Sequence, residues 1–235
     1  DIRLDNYYWI KEKENPEVID YLERENDYYQ RMTKSSKSLK GDLFIEMKKR
    51  IKEEDESVPY FLNGFWYITR YEKGKQYPIY TRKKDSLTAN EEILFDCNKL
   101  AKGHDYFQLV GVNVSPDNTK VIYGIDLESR RKYTLYVKDL QTNEVLKTNI
   151  KNTTGSTAWS SNNKNFFYVK KNEQTLRPEK VFLHDISKPE NLDTLIYNEK
   201  DETFSVYINE SKSKEYIFLS SYSTLTSESV SYTHL

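Results

Sequence analysis

The spacing of apolar residues changes once along the chain, near residue 58. Before it, apolar positions recur at helical intervals. Asn15-Pro16-Glu17 is a helix start: an N-cap side chain, a proline where no N–H is needed, then an acid at the positive helix end. Ile19, Leu22, Tyr29 and Met32 follow near helical spacing. A second amphipathic stretch carries Leu39, Leu43, Phe44, Met47 and Ile51 on one side and Lys40, Lys48, Lys49 and Lys52 on the other. The run Lys48-Lys49-Arg50 is met at once by Glu53-Glu54-Asp55-Glu56, which reads as a solvated helix end rather than a binding patch.

After residue 58 the pattern becomes short aromatic and β-branched runs separated by Asn, Asp, Gly, Ser and Lys, the signature of consecutive antiparallel strands. Strands are predicted at 65–71, 79–83, 92–95, 110–114, 120–126, 133–139, 156–159, 166–170, 180–185, 203–209 and 216–220. They repeat as a group. The run Ser115-Pro116-Asp117-Asn118-Thr119-Lys120-Val121-Ile122-Tyr123 returns 45 residues later as Ser160-Ser161-Asn162-Asn163-Lys164-Asn165-Phe166-Phe167-Tyr168. It returns again after a further 51 as Ser211-Lys212-Ser213-Lys214-Glu215-Tyr216-Ile217-Phe218-Leu219, and Leu62-Asn63-Gly64-Phe65-Trp66-Tyr67 is an earlier copy. Each copy sets a polar turn before an apolar strand. Four strands per roughly 45–50 residues is the size of a propeller blade, and a sandwich does not require one turn-strand unit at this period. The predicted fold is mainly β: an incomplete propeller of roughly three and a half blades, preceded by helices. A half ring leaves two faces open, so the chain reads as a piece of something larger.

Composition narrows the function. Tyr (20) and Phe (10) supply bulk that suits packed strands, within 235 residues that are 37% hydrophobic. Lys and Arg (36) nearly cancel Asp and Glu (37), and a net charge of -1 gives no reason to expect nucleic acid or an anionic membrane as partner. The single Cys97 excludes an internal disulfide framework and a cysteine-rich zinc site, and its place after Ile93-Leu94-Phe95-Asp96 suits a buried structural thiol. No apolar run approaches the roughly 18 residues of a membrane span. Cytoplasm is the expected compartment, with a periplasmic origin left open because the chain starts at Asp1 rather than Met.

The motifs resemble the prolyl oligopeptidase family of serine peptidases, and most closely its oligopeptidase B (protease II) branch. The similarity starts at Asp5-Asn6-Tyr7-Tyr8-Trp9-Ile10 and runs through Asn15–Leu22 and Glu46–Glu53, and Ser57-Val58-Pro59-Tyr60 resembles the oligopeptidase B branch. Arg70–Tyr80, Ala101–Phe107, Ser129-Arg130-Arg131 and Lys200-Asp201-Glu202-Thr203-Phe204 resemble the oligopeptidase B branch rather than the prolyl-specific one. The resemblance implies an N-terminal arm (1–57) that packs on an α/β-hydrolase domain, and a partial seven-bladed propeller (58–228) that caps its active site. It further implies hydrolysis of short peptides after Lys or Arg, with folded proteins excluded by size. The family's catalytic residues lie in the hydrolase domain, and this sequence contains no Gly-x-Ser-x-Gly elbow, so no catalytic, cofactor or metal residue is assigned. Residues 229–235 depart from the family pattern and read as a non-native tail. The alternative is a free-standing propeller that binds or scaffolds without a catalytic partner.

Remaining candidates for chemistry are sparse. His104 follows a turn glycine, His184 lies in a strand and His234 in the tail. Despite neighbouring Asp105 and Asp185, no pair has metal-ligand spacing on one element. Arg130-Arg131-Lys132 reads as the cap of a hairpin turn. Trp9 is expected to pack on a partner domain, Trp159 inside a blade, and the strand 153–159 is a candidate lining of the propeller channel.

Overall fold

A computed structural model describes residues 4–232, which form two compact units divided between Glu53 and Glu54. In the first unit, α1 (Pro16–Met32) starts as its sequence requires. Asn15 Oδ1 accepts the Glu17 N–H at 3.0 Å, with proline in the first turn. Thr33 closes it by donating its hydroxyl to the Tyr29 carbonyl at 2.7 Å. Helix α2 (Lys37–Lys49) follows one 3-10 turn later. Its apolar side, Leu39, Leu43, Phe44 and Met47, is exposed, and Ile51 falls beyond its end. Trp9 meets Tyr21 of the same unit edge-on, with ring centres 5.7 Å apart.

The second unit is built of antiparallel strands. Strands β1 (Asp55–Glu56) and β2 (Tyr60–Leu62) both pair with β3 (Phe65–Tyr71), followed by β4 (Ile79–Lys84) and β5 (Glu91–Asp96). Asp55 and Glu56 are therefore a strand segment, not a helix end. The cationic last turn of α2 already suits the negative end of the helix, and Glu56 then finds Arg70 as its cross-strand partner. Pro59, which has no N–H for a ladder, falls in the gap between β1 and β2. A short helix α3 (Cys97–Leu100) leads to β6 (Gln108–Val114), β7 (Lys120–Asp126), β8 (Tyr133–Asp139) and β9 (Ile150–Trp159). Next come β10 (Asn165–Lys171), β11 (Pro178–Asp185) and β12 (Thr194–Asn198), then β13 (Ser205–Glu210), β14 (Ile217–Tyr222) and β15 (Ser227–Tyr232). This gives a five-stranded first blade, two four-stranded blades that share β9, and three strands of a fourth, the partial propeller expected. Strands β1, β2, β12 and β15 were not predicted. They are short or polar, and neighbouring strands rather than their own pattern place them. Residues 229–232 of the doubtful tail lie in β15, paired with β14, while 233–235 lie outside the described residues.

Strand β9 belongs to two blades. Its first part pairs with β8 (Tyr133↔Thr153, Leu135↔Ile150) and its last part with β10 (Phe166↔Trp159). The crossing is close. A Cβ on Gly111 of β6 would lie 2.1 Å from the Gly155 carbonyl oxygen, and both glycines have positive φ (64° and 83°). No other residue fits there without moving backbone.

Blades join through three apolar seams. Val121 and Tyr123 point toward Phe95 and Leu109, whereas Ile122 between them points toward Trp159 and Phe166. Phe166 and Tyr168 share that second seam, and the alternate residues Phe167 and Val169 pack on Val206 and Ile208 of the fourth blade. Burial on both faces explains the unbroken apolar runs in β7 and β10.

Candidate functional site

The first strands of the blades neighbour one another. Asn113 Nδ2 of β6 donates to the Thr157 carbonyl of β9 at 3.1 Å, and the Trp159 N–H donates to Glu210 Oε1 of β13 at 2.9 Å. Residues 156–159 thus form the inner strand of the third blade, whereas Thr153, paired with both Tyr133 and Lys170, marks the crossing from the second. Trp159 is held in the seam between these blades rather than inside one, with Nε1 donating to the Asn113 carbonyl at 2.9 Å. The seam captures it because its indole N–H finds the part-buried Asn113 carbonyl there.

Two rims flank these strands. One carries the repeated turns. In each, the N–H of the first serine donates to the carbonyl of the residue five positions on: Ser115 to Lys120, Ser160 to Asn165 and Ser211 to Tyr216, at 2.8–2.9 Å. Neighbouring turns are tied by Asn118 Nδ2 to the Asn63 carbonyl and by the Asp117 N–H to Asn163 Oδ1, both 3.0 Å. A cavity of about 230 Å³ opens on this rim where all four blades meet, walled by Leu62, Val114 and Ile217 and carrying Glu210, Lys214 and Glu215.

The opposite rim carries the branch-specific motifs. Arg70 is held by Glu72 at 2.7 Å and Glu91 at 2.8 Å. Arg130-Arg131-Lys132 lie in the turn from β7 to β8, which Asp126 organises by accepting the Glu128 and Arg131 N–H groups at 2.8 and 2.7 Å. Arg177 donates to the carbonyls of Phe204 (2.7 Å), Asp201 (3.2 Å) and Glu199 (3.4 Å), fixing the connection that contains Lys200–Phe204.

His104 sits in a turn, its N–H on the Ala101 carbonyl, and His234 is outside the described residues. His184 is buried. Its Nδ1 lies 2.7 Å from Asp193 Oδ1, its Nε2 3.4 Å from Thr148 Oγ1, and the Tyr168 hydroxyl donates to Asp193 Oδ2 at 2.8 Å. Thr, His and Asp in this order resemble a hydrolytic triad, but Thr148 and His184 are buried and the His184 and Asp193 side chains are 1% and 2% exposed, so no substrate reaches them. Sequence reasoning missed this cluster because Thr148 and Asp193 fall in connections without pattern. Cys97 is buried, and burial, with the Asp96 charge beside it, pushes its thiol up to about 12. It is not a thiolate near neutrality. Among the described residues no three His, Cys, Asp or Glu side chains form a metal-ligand group.

A profile of the family described as prolyl oligopeptidase, N-terminal β-propeller domain, matches residues 1–234. The chain belongs to this family. Protease 2 of Moraxella lacunata is 35% identical over 235 residues, 97% of this chain and 34% of that protein. Dipeptidyl aminopeptidase BI of Pseudoxanthomonas mexicana is 35% identical over 243 residues, 96% of this chain and 34% of that protein. The solved structure of oligopeptidase B from Leishmania major superimposes with a TM-score of 0.87 at 29% identity, covering 97% of this chain and 32% of the other. The chain therefore spans about a third of the length of its relatives and is similar to the propeller region of oligopeptidase B.

Proposed function

We propose that this chain is the cap of a serine oligopeptidase that hydrolyses short peptides after Lys or Arg, with the hydrolase domain supplied by further sequence. The observation that carries this reading is the match to oligopeptidase B along 97% of the chain. The helical unit presents Leu39, Leu43, Phe44 and Met47 as an apolar side for that domain. The propeller acts by exclusion. Seams packed on both faces of β7 and β10 resist spreading, so an extended peptide passes where a folded protein does not. Peptides and the hydrolase domain are its partners, and no described helix is long and apolar enough to cross a membrane.

The test uses the full-length parent protein. Arg- and Lys-linked chromogenic peptides are expected to be cleaved, Pro-linked ones and folded albumin not, and the present 235-residue chain alone to be inactive. Substrates with free and blocked amino ends distinguish a dipeptidyl aminopeptidase from an endopeptidase. A parent gene without a downstream Gly-x-Ser-x-Gly elbow, or turnover of folded albumin as fast as of peptides, sinks the reading and favours a scaffold.

A further inference from the structure

Aligning the repeated turns on Ser115, Ser160 and Ser211 separates what the fold requires from what it does not. The fourth residue of each turn has positive φ: Asn118 at 61° and Asn163 at 58°, with Asn63 of the earlier copy at 50°. Asparagine suits this region because its short side chain bonds locally. The fourth blade places Lys214 there, at 65°. The residue before the serine departs as well: Val114 and Trp159 in two blades, Glu210 in the fourth. Both departures line the cavity on this rim. Neither is needed to form the turn, since all three turns make the same backbone bonds.

The two side chains differ in freedom. Glu210 is 17% exposed and anchored by the Trp159 N–H on Oε1, leaving Oε2 to the Lys214 ammonium. The Lys214 side chain is 52% exposed. A half-exposed lysine four residues from its partner contributes little and exchanges readily. With Glu215, the charged lining is net negative. At about 230 Å³ the cavity is smaller than sites for whole drug-sized ligands, roughly 300–1,000 Å³, and suits one long side chain on apolar walls.

We propose that this cavity binds the basic side chain of a peptide, with Glu210 as its counter-charge and Lys214 as a tethered competitor that holds the cation position when the site is empty. That the ligand is a peptide rests on the peptidase reading; that it is a cation rests on the carboxylates.

The experiment titrates the full-length protein calorimetrically with Nα-acetyl-arginine amide after its active-site serine has been blocked with an arginyl phosphonate. One weak binding event is expected, absent with the neutral citrulline analogue. Glu210→Gln keeps an oxygen for the Trp159 N–H and is expected to weaken binding about tenfold or more, the scale of one charged hydrogen bond. Lys214→Asn restores the residue used by the other turns and is expected to tighten binding severalfold. Opposite signs are the signature, because a merely structural ion pair would lower thermal stability in both variants and leave binding alone. Absence of binding, or Glu210→Gln binding like the parent, overturns the proposal. Failure of the phosphonate to label the protein sinks the peptidase reading instead, and the same titration on unlabelled protein still decides whether Glu210 holds a cation.

Discussion

Strands β10 and β14 occupy the same place in adjacent blades, yet only one is buried on both sides. Phe166, Phe167, Tyr168 and Val169 are each at most 2% exposed, alternating between two seams. In β14, Ile217 and Ser221 are buried, while Phe218 and Tyr222 on the other face are 37% and 43% exposed. The same turn and the same strand thus carry different weight according to how many neighbours the blade has. Stability in such an array follows nearest-neighbour interfaces more than strand propensity.

Truncating one ring on each strand gives the strongest challenge to that contrast. Phe166→Ala is expected to lower the stability of this chain by about 3–5 kcal/mol in urea denaturation. Phe218→Ala is expected to cost less than about 1 kcal/mol. Equal losses would show that the seams do not set the difference. A smaller effect separates close approach from backbone conformation alone. Gly111→Ala combines positive φ with a backbone clash and should cost about 2–4 kcal/mol, whereas Gly74→Ala, with positive φ but open space around it, should cost about 1 kcal/mol. Acid acts on the turns rather than the seams and has the smallest effect. The hydroxyl and N–H of Ser187, with Lys188, pull the Asp185 carboxyl down from 3.8 to about 2. The Thr142 and Gln141 N–H groups lower Asp139, and the Thr203 hydroxyl and N–H lower Asp201. A depressed carboxyl stabilises the fold above its ordinary value and loses that contribution as pH falls through its folded value. The urea midpoint is therefore expected to be level above pH 3.8 in this respect and to drop toward pH 2, with Asp185→Asn removing part of the slope.

Much of this architecture was legible because the second, third and fourth blades each announce themselves with a serine turn followed by apolar residues. Strands β3, β7 and β8 match their predicted limits to the residue. Strand β9 starts at Ile150, ahead of the 156 of the strand prediction and the 153 of the candidate channel lining, since Asn152, Thr153, Thr154 and Gly155 have little strand pattern; their places are set by Tyr133 and Gly111 across the crossing. Strand β12 was missed for a related reason, as Leu195 stays exposed and its pairing with β11 supplies the order. The cavity was readable in principle. Lys214 and Glu210 break the repeat in register, but position in a turn becomes a statement about charge only when the blades are seen to converge.

The double membership of β9 has a consequence for how this molecule can be assembled. The first blade reaches the second through α3 and its flanking loop, and the third reaches the fourth through the connection that Arg177 holds, so each of those junctions is a segment outside the strands it joins. Between the second and third blades there is no such segment: one continuous strand finishes one unit and begins the next. A growing chain that has completed the second blade has thereby already laid the first plank of the third. The two are acquired as a single module, with no natural cut between them at which the gene could be divided, shuffled or duplicated without leaving one half unfinished.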